Sequence, residues 1–228
     1  MSSRKDQKAE LRAEREQRER EAAAAEKRRR TIGYVVGGGL AAAAVIAIVV
    51  VLAAGGDGGS SKANSGNWPK GSVPEQKITD LAAATKAAGC QTKDPKDEGN
   101  QHLTDPNAVA NYKANPPTSG THFIDPAADG AYLTAPRKEQ TVHTLEHGRV
   151  EIQFKPTVPN SVKGDLKALF DEDPYHMMIF PNQTDMPYAV AATAWDHQLV
   201  CPAYNDKVPD AIRAFKNQYR DRGPESAP

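Results

Sequence analysis

Arg149-Val150-Glu151-Ile152-Gln153-Phe154 alternates polar and apolar side chains, the period-two signature of a strand with one buried face. Gly148 stands just before it and would stop any helix arriving from the preceding residues. Toward the C-terminus, Pro159–Asp171 carries Val162, Leu166, Leu169 and Phe170 at helical spacing. Tyr175–Phe180 is a short apolar run before Pro181, and Tyr188–Ala194 and Gln198–Cys201 read as further strands. Pro209–Tyr219, with Ile212, Phe215 and Tyr219, closes the region as a helix. Toward the N-terminus, Gln91–Asp129 is rich in Pro, Gly, Asp and Asn without a sustained period, so it reads as a long loop region. Before it, Pro74–Ala88 has Ile78, Leu81, Ala84 and Ala88 on one side of a helix that stops at Gly89. The order predicts an α+β domain: a small, mostly antiparallel sheet covered by helices on one face, over residues 73–223.

Upstream the composition changes. Residues 32–54 are a 23-residue run of Gly, Ala, Val, Leu, Ile and one Tyr, with no charge. As a helix it would reach roughly 35 Å, enough to cross a hydrocarbon core of about 30 Å. A secretory signal has a shorter apolar run, of about 7–15 residues. Val51-Leu52-Ala53 marks where such a signal would be cut, but the run is read as a retained transmembrane helix. Residues 1–31 form a charged tail: Met1–Arg30 holds eleven Lys/Arg and seven Asp/Glu, whereas the chain outside it holds 18 against 22. Lys27-Arg28-Arg29-Arg30 abuts the apolar run, so the tail is expected in the cytoplasm and the domain outside a cell membrane that the chain spans once. Residues 55–72, rich in Gly, Ser and Asn, read as a flexible linker. Neither side carries the one-signed, aromatic-interleaved surface that nucleic-acid binding requires.

Cys90 and Cys201 are the only cysteines. Outside a membrane an even count predicts a disulfide between them. Closing a loop of about a hundred residues restricts the unfolded chain by roughly 4–5 kcal/mol at the upper end of the entropic account. They are too far apart in sequence for a Cys-x-x-Cys dithiol.

Six histidines follow the apolar run, and two neighbourhoods stand out. Asn115-Pro116-Pro117-Thr118-Ser119-Gly120-Thr121-His122 is a turn-rich segment ending in an imidazole, and His143-Thr144-Leu145-Glu146-His147-Gly148 immediately precedes the first strand. With Gly130–Tyr132 and Thr193-Ala194-Trp195, these motifs resemble the bacterial family called domain of unknown function 3105, over roughly Cys90 to Arg222. The resemblance implies a fold and an N-terminal membrane anchor, and no reaction.

His143 and His147 are four apart and share one face of a helix or of a strand alike, and His122 supplies a third nitrogen. Three neutral imidazoles suit zinc or copper. Glu146 is placed as an acceptor behind the ligands that orients an imidazole N–H. Met177, Met178 and Met186 are soft donors that would favour copper(I), although core packing explains them more simply. The bland reading has the same histidines hydrogen-bonding loop backbone, and His102, His176 and His197 are assigned to it. His143-x-x-Glu146-His147 also fits an inverted zinc-peptidase pattern, but Gly148 cuts its helix short. Ser119 lacks the glycine-flanked elbow of a serine hydrolase. The residues favour a binding domain over an enzyme. The expected function is a single-pass, extracytoplasmic protein holding copper or zinc through His122, His143 and His147. Beside it stand an accessory or interaction module of a membrane or cell-envelope complex, and a zinc hydrolase.

Overall fold

Leu81–Ala88 forms helix α1, started by Asp80, whose carboxylate accepts from the Ala83 N–H, and closed at Gly89 in the left-handed region. The computed structural model describes residues 66–225. The tail, the apolar run 32–54 and most of the linker lie outside them. Among the described residues no helix is long and apolar enough to cross a membrane. The helix expected from Pro74 begins seven residues later. Its predicted first half is held extended because buried Asp210 accepts from the Lys77 and Ile78 N–H groups, and Arg213 donates to the Pro74 carbonyl. Packing also begins before residue 73: Trp68 stands edge-on to Phe154, and the Ser72 N–H donates to Asp165.

After α1 come β1 (Gln91–Lys93), β2 (His102–Leu103), β3 (His122–Phe123), β4 (Gly130–Ala131), α2 (Lys138–Glu146), β5 (Val150–Phe154), α3 (Asn160–Asp171), β6 (Met177–Pro181), β7 (Val190–Ala194), β8 (His197–Cys201) and α4 (Val208–Tyr219). Six strands form one sheet in the order β1-β8-β7-β5-β6-β4. Three of its pairings are antiparallel and two, those of β6 with β5 and with β4, are parallel. The fold is α+β with a mostly antiparallel sheet, as the sequence predicts.

Strand β5 lies centrally, and the two sets of its alternating side chains meet different surroundings. Val150, Ile152 and Phe154 join Ile179, Ala192 and Leu199 in an apolar core with Ala84, Leu166, Phe170, Ile212 and Phe215 from α1, α3 and α4. The expected outward-facing set is instead buried: Glu151 and Gln153 lie beneath α2 and the long segment 94–129. Helices therefore cover both faces rather than one. A polar residue in a period-two pattern marks the opposite face, not water.

Cys90 and Cys201 form the expected disulfide, joining the end of α1 to the end of β8. Met177, Met178 and Met186 are buried in three apolar clusters, which makes them packing residues.

Candidate metal centre

His102 and His122 face each other across the two-residue parallel ladder of β2 and β3, in direct register. That puts both imidazoles on the same side of the ladder, with ring centroids 4.7 Å apart. Helix α2 approaches that side and presents His143 and Glu146, which are three apart and so neighbours on its surface. The sequence alone left helix and strand open for His143–His147. The structure makes it the end of a helix, with His147 as the C-cap and Gly148 turning the chain at φ +77°.

Nδ1 of His122 donates to the Gly120 carbonyl at 2.8 Å, and Nδ1 of His143 donates to the Phe123 carbonyl at 2.6 Å. A carbonyl only accepts, so each contact fixes the proton on Nδ1 and leaves Nε2 as a lone pair. Burial then holds both rings neutral. It lowers the His122 pKa against the opposing pull of the Gly120 carbonyl and the Glu146 carboxylate, and it brings His143 down to about 4.

Nε2 of His122 lies beside a carboxylate, and Nε2 of His143 lies 3.0 Å from Nε2 of His147. Nε2 of His122 lies 2.9 Å from Oε2 of Glu146, and Nε2 of His102 lies 3.8 Å from the same oxygen. At 2.9 Å an ion pair would be expected, yet neither His122 Nε2 nor Glu146 Oε2 has a hydrogen-bond partner. With the His122 proton held on Nδ1, two acceptors stand close together with no hydrogen bond between them. His122 and Glu146 are 0% and 2% exposed, so water does not reach them freely. The other carboxylate oxygen, Oε1, accepts from the Asn100 side chain at 2.8 Å, which fixes the carboxylate plane. Ligand atoms of His102, His122, His143 and Glu146 all lie within 4.8 Å of one another, a group that can hold a metal ion.

This group differs in membership from the set read in the sequence. His122 and His143 are in it. His147 falls in a second group, with His143 and Glu225. Glu146 stands among the imidazoles rather than behind them. His102, which the sequence reading assigned to backbone hydrogen bonding, completes the four. The parallel ladder that places it at His122 joins segments twenty residues apart, and no local signal marks it. His176 pairs with Asp221, and His197 pairs with Asp94 while stacking on Tyr219. Buried Ser119 accepts from the Glu98 N–H.

Residues 103–228 match the family model described as "Protein of unknown function (DUF3105)", more than half of the chain. The chain belongs to the DUF3105 family. No curated protein and no solved structure matches it. The part matching DUF3105 contains His122, His143, Glu146, His147 and Glu225, and it begins one residue after His102.

Proposed function

We propose that this domain binds one divalent transition-metal ion, zinc(II) or copper(II), between His102, His122, His143 and Glu146. It does so on the outer side of a membrane to which residues 32–54 anchor the chain, and serves metal handling at the cell surface. The carrying observation is the pair of buried atoms, His122 Nε2 and Glu146 Oε2, 2.9 Å apart and each without a hydrogen-bond partner. Two buried acceptors in contact are costly without a cation. Ligands around a tetrahedral ion with bonds of about 2.0–2.2 Å stand about 3.3 Å apart. The separations of 2.9 and 3.8 Å fall on either side of that value.

Donor chemistry narrows the ion. Three imidazoles and a carboxylate suit a borderline divalent metal, whereas copper(I) prefers thioethers and thiolates. The methionines that would supply such donors are buried elsewhere. The carbonyls of Gly120 and Phe123 and the Asn100 amide hold the ligand rings and carboxylate in place, the supporting role that outer partners of metal ligands play. In the inverted peptidase scheme, His143 and His147 would ligate and Glu146 would activate water. Here Glu146 turns toward His102 and His122, which supports binding over hydrolysis. The anchored, extracytoplasmic placement is supported by the apolar run with its basic flank and by the disulfide, a bond of oxidising compartments.

Calorimetry of the metal-stripped protein with zinc(II) and with copper(II) at neutral pH tests this. One ion per chain is expected, with its affinity sharply lowered by His122→Ala. Absence of heat above buffer for both ions, from folded protein, overturns it.

A further inference from the structure

Resting on that reading, we propose that His143, His147 and Glu225 form an outer station for the same ion. It is filled in alternation with the inner group, and the ion enters and leaves through it. Nε2 of His143 lies 3.0 Å from Nε2 of His147, which lies 3.3 Å from Oε2 of Glu225, and the three ligand atoms make a second group able to hold a metal. Glu225 is 54% exposed and His147 16%, whereas in the inner group His122 and Glu146 are 0% and 2% exposed and His102, at 40%, is the member that reaches solvent. Of the carboxylates in the two groups, Glu225 is the one that an ion arriving from water meets first.

The segment that carries Glu225 is docked on the end of α2. The Asp221 N–H donates to the Gly148 carbonyl at 2.8 Å, and the Glu225 N–H donates to the Glu146 carbonyl at 3.1 Å. This is the C-terminal end of the helix, where the backbone dipole favours a cation. Glu146 thus receives Glu225 on its main chain while its side chain stands in the inner group.

Alternation follows from His143. Its Nδ1 proton is committed to the Phe123 carbonyl, so Nε2 is its single free lone pair. One lone pair in the ring plane ligates one ion. The inner and outer stations share that nitrogen and cannot be full together. A tilt of the His143 ring about its Nδ1–Phe123 hydrogen bond re-aims that lone pair and hands the ion from one to the other without releasing it to water. In the metal-free protein the same nitrogen accepts a hydrogen bond from the His147 ring, which the incoming ion displaces.

The test is zinc(II) uptake by the metal-stripped full chain. Rates come from stopped-flow transfer from a chromophoric chelator, and stoichiometry comes from equilibrium dialysis. Wild type should bind one ion. Glu225→Gln and His147→Ala should each slow both uptake and release about tenfold, the low end of electrostatic capture effects, while occupancy at saturation stays at one. A chain carrying His122→Ala and Glu146→Gln should keep one weakly held zinc that is lost when Glu225→Gln is added. Unchanged rates in both Glu225→Gln and His147→Ala overturn the outer station, as do two ions per wild-type chain at saturation. Wild type that takes up neither zinc(II) nor copper(II) overturns the inner group as well, so the two failures are distinguishable. Glu225 is exposed, and its glutamine variant keeps the fold even if His147→Ala does not.

Discussion

The two faces of the central sheet are both buried and are built on opposite chemistry. On one, Val150, Ile152 and Phe154 meet three helices through hydrocarbon alone. On the other, Glu151, Gln153, Thr193 and Asn182 form a hydrogen-bonded network beneath α2. Thr144 of that helix touches Glu151 one residue from His143. The apolar face supplies stability without directional demands. The polar face fixes orientation, because every buried donor must meet an acceptor. The candidate ligands sit on the polar side, where rotamer and tautomer are specified by partners.

Glu151 shows how that face is kept. Thr144 Oγ1 has one proton and contacts both the Thr141 carbonyl and Glu151 Oε1. It donates to Glu151 Oε1, while Gln153 Nε2 and Thr193 Oγ1 donate to Oε2. These donors favour the carboxylate, but complete burial outweighs them and raises its pKa to about 8.

The contrast between faces can be broken most sharply on the apolar side. Phe215→Ala, at a fully buried position, should cost about 3–5 kcal/mol in denaturant unfolding; a loss below about 1 kcal/mol would mean that α4 does not anchor the core. Cys201→Ser should cost about 2–4 kcal/mol and leave the zinc stoichiometry of the folded protein unchanged. On the polar side, zinc at a hundredfold excess over its dissociation constant should stabilise wild type by about 2.7 kcal/mol, and His122→Ala should remove that gain. Equal stabilisation of both proteins would place the ion elsewhere.

The smallest effect expected concerns Glu151 and pH. Its folded pKa lies above that of the unfolded chain, so its contribution to stability is complete below about 4.5 and falls away as pH rises through about 8. Glu151→Gln should flatten this part of the profile and make the variant more stable than wild type at pH 9 by about 2 kcal/mol. Thermal melts at pH 5, 7 and 9 would show it; parallel profiles would mean that the carboxyl is already ionised in the fold.

By itself, the sequence determined whatever rests on local periodicity and composition. The α+β class, helices α3 and α4, strands β5 to β8 and the stop at Gly89 follow from which residues repeat at two or 3.6 positions. The Cys90–Cys201 bond follows from there being only two cysteines. Helix α2 was not legible, because Glu139, His143, Thr144 and Glu146 are polar and buried together, so no apolar stripe marks it. Nor was the true start of α1, set by Asp210 and Arg213 some 130 residues away. Only the tertiary structure decided the membership of the group able to hold a metal. His102 joins it through a strand pairing with no local cause, Glu146 turns inward because Asn100 holds its carboxylate, and Glu225 reaches His147 because the chain's end docks on α2. A ligand set depends on where lone pairs converge in space, and convergence between distant segments leaves no period in a sequence.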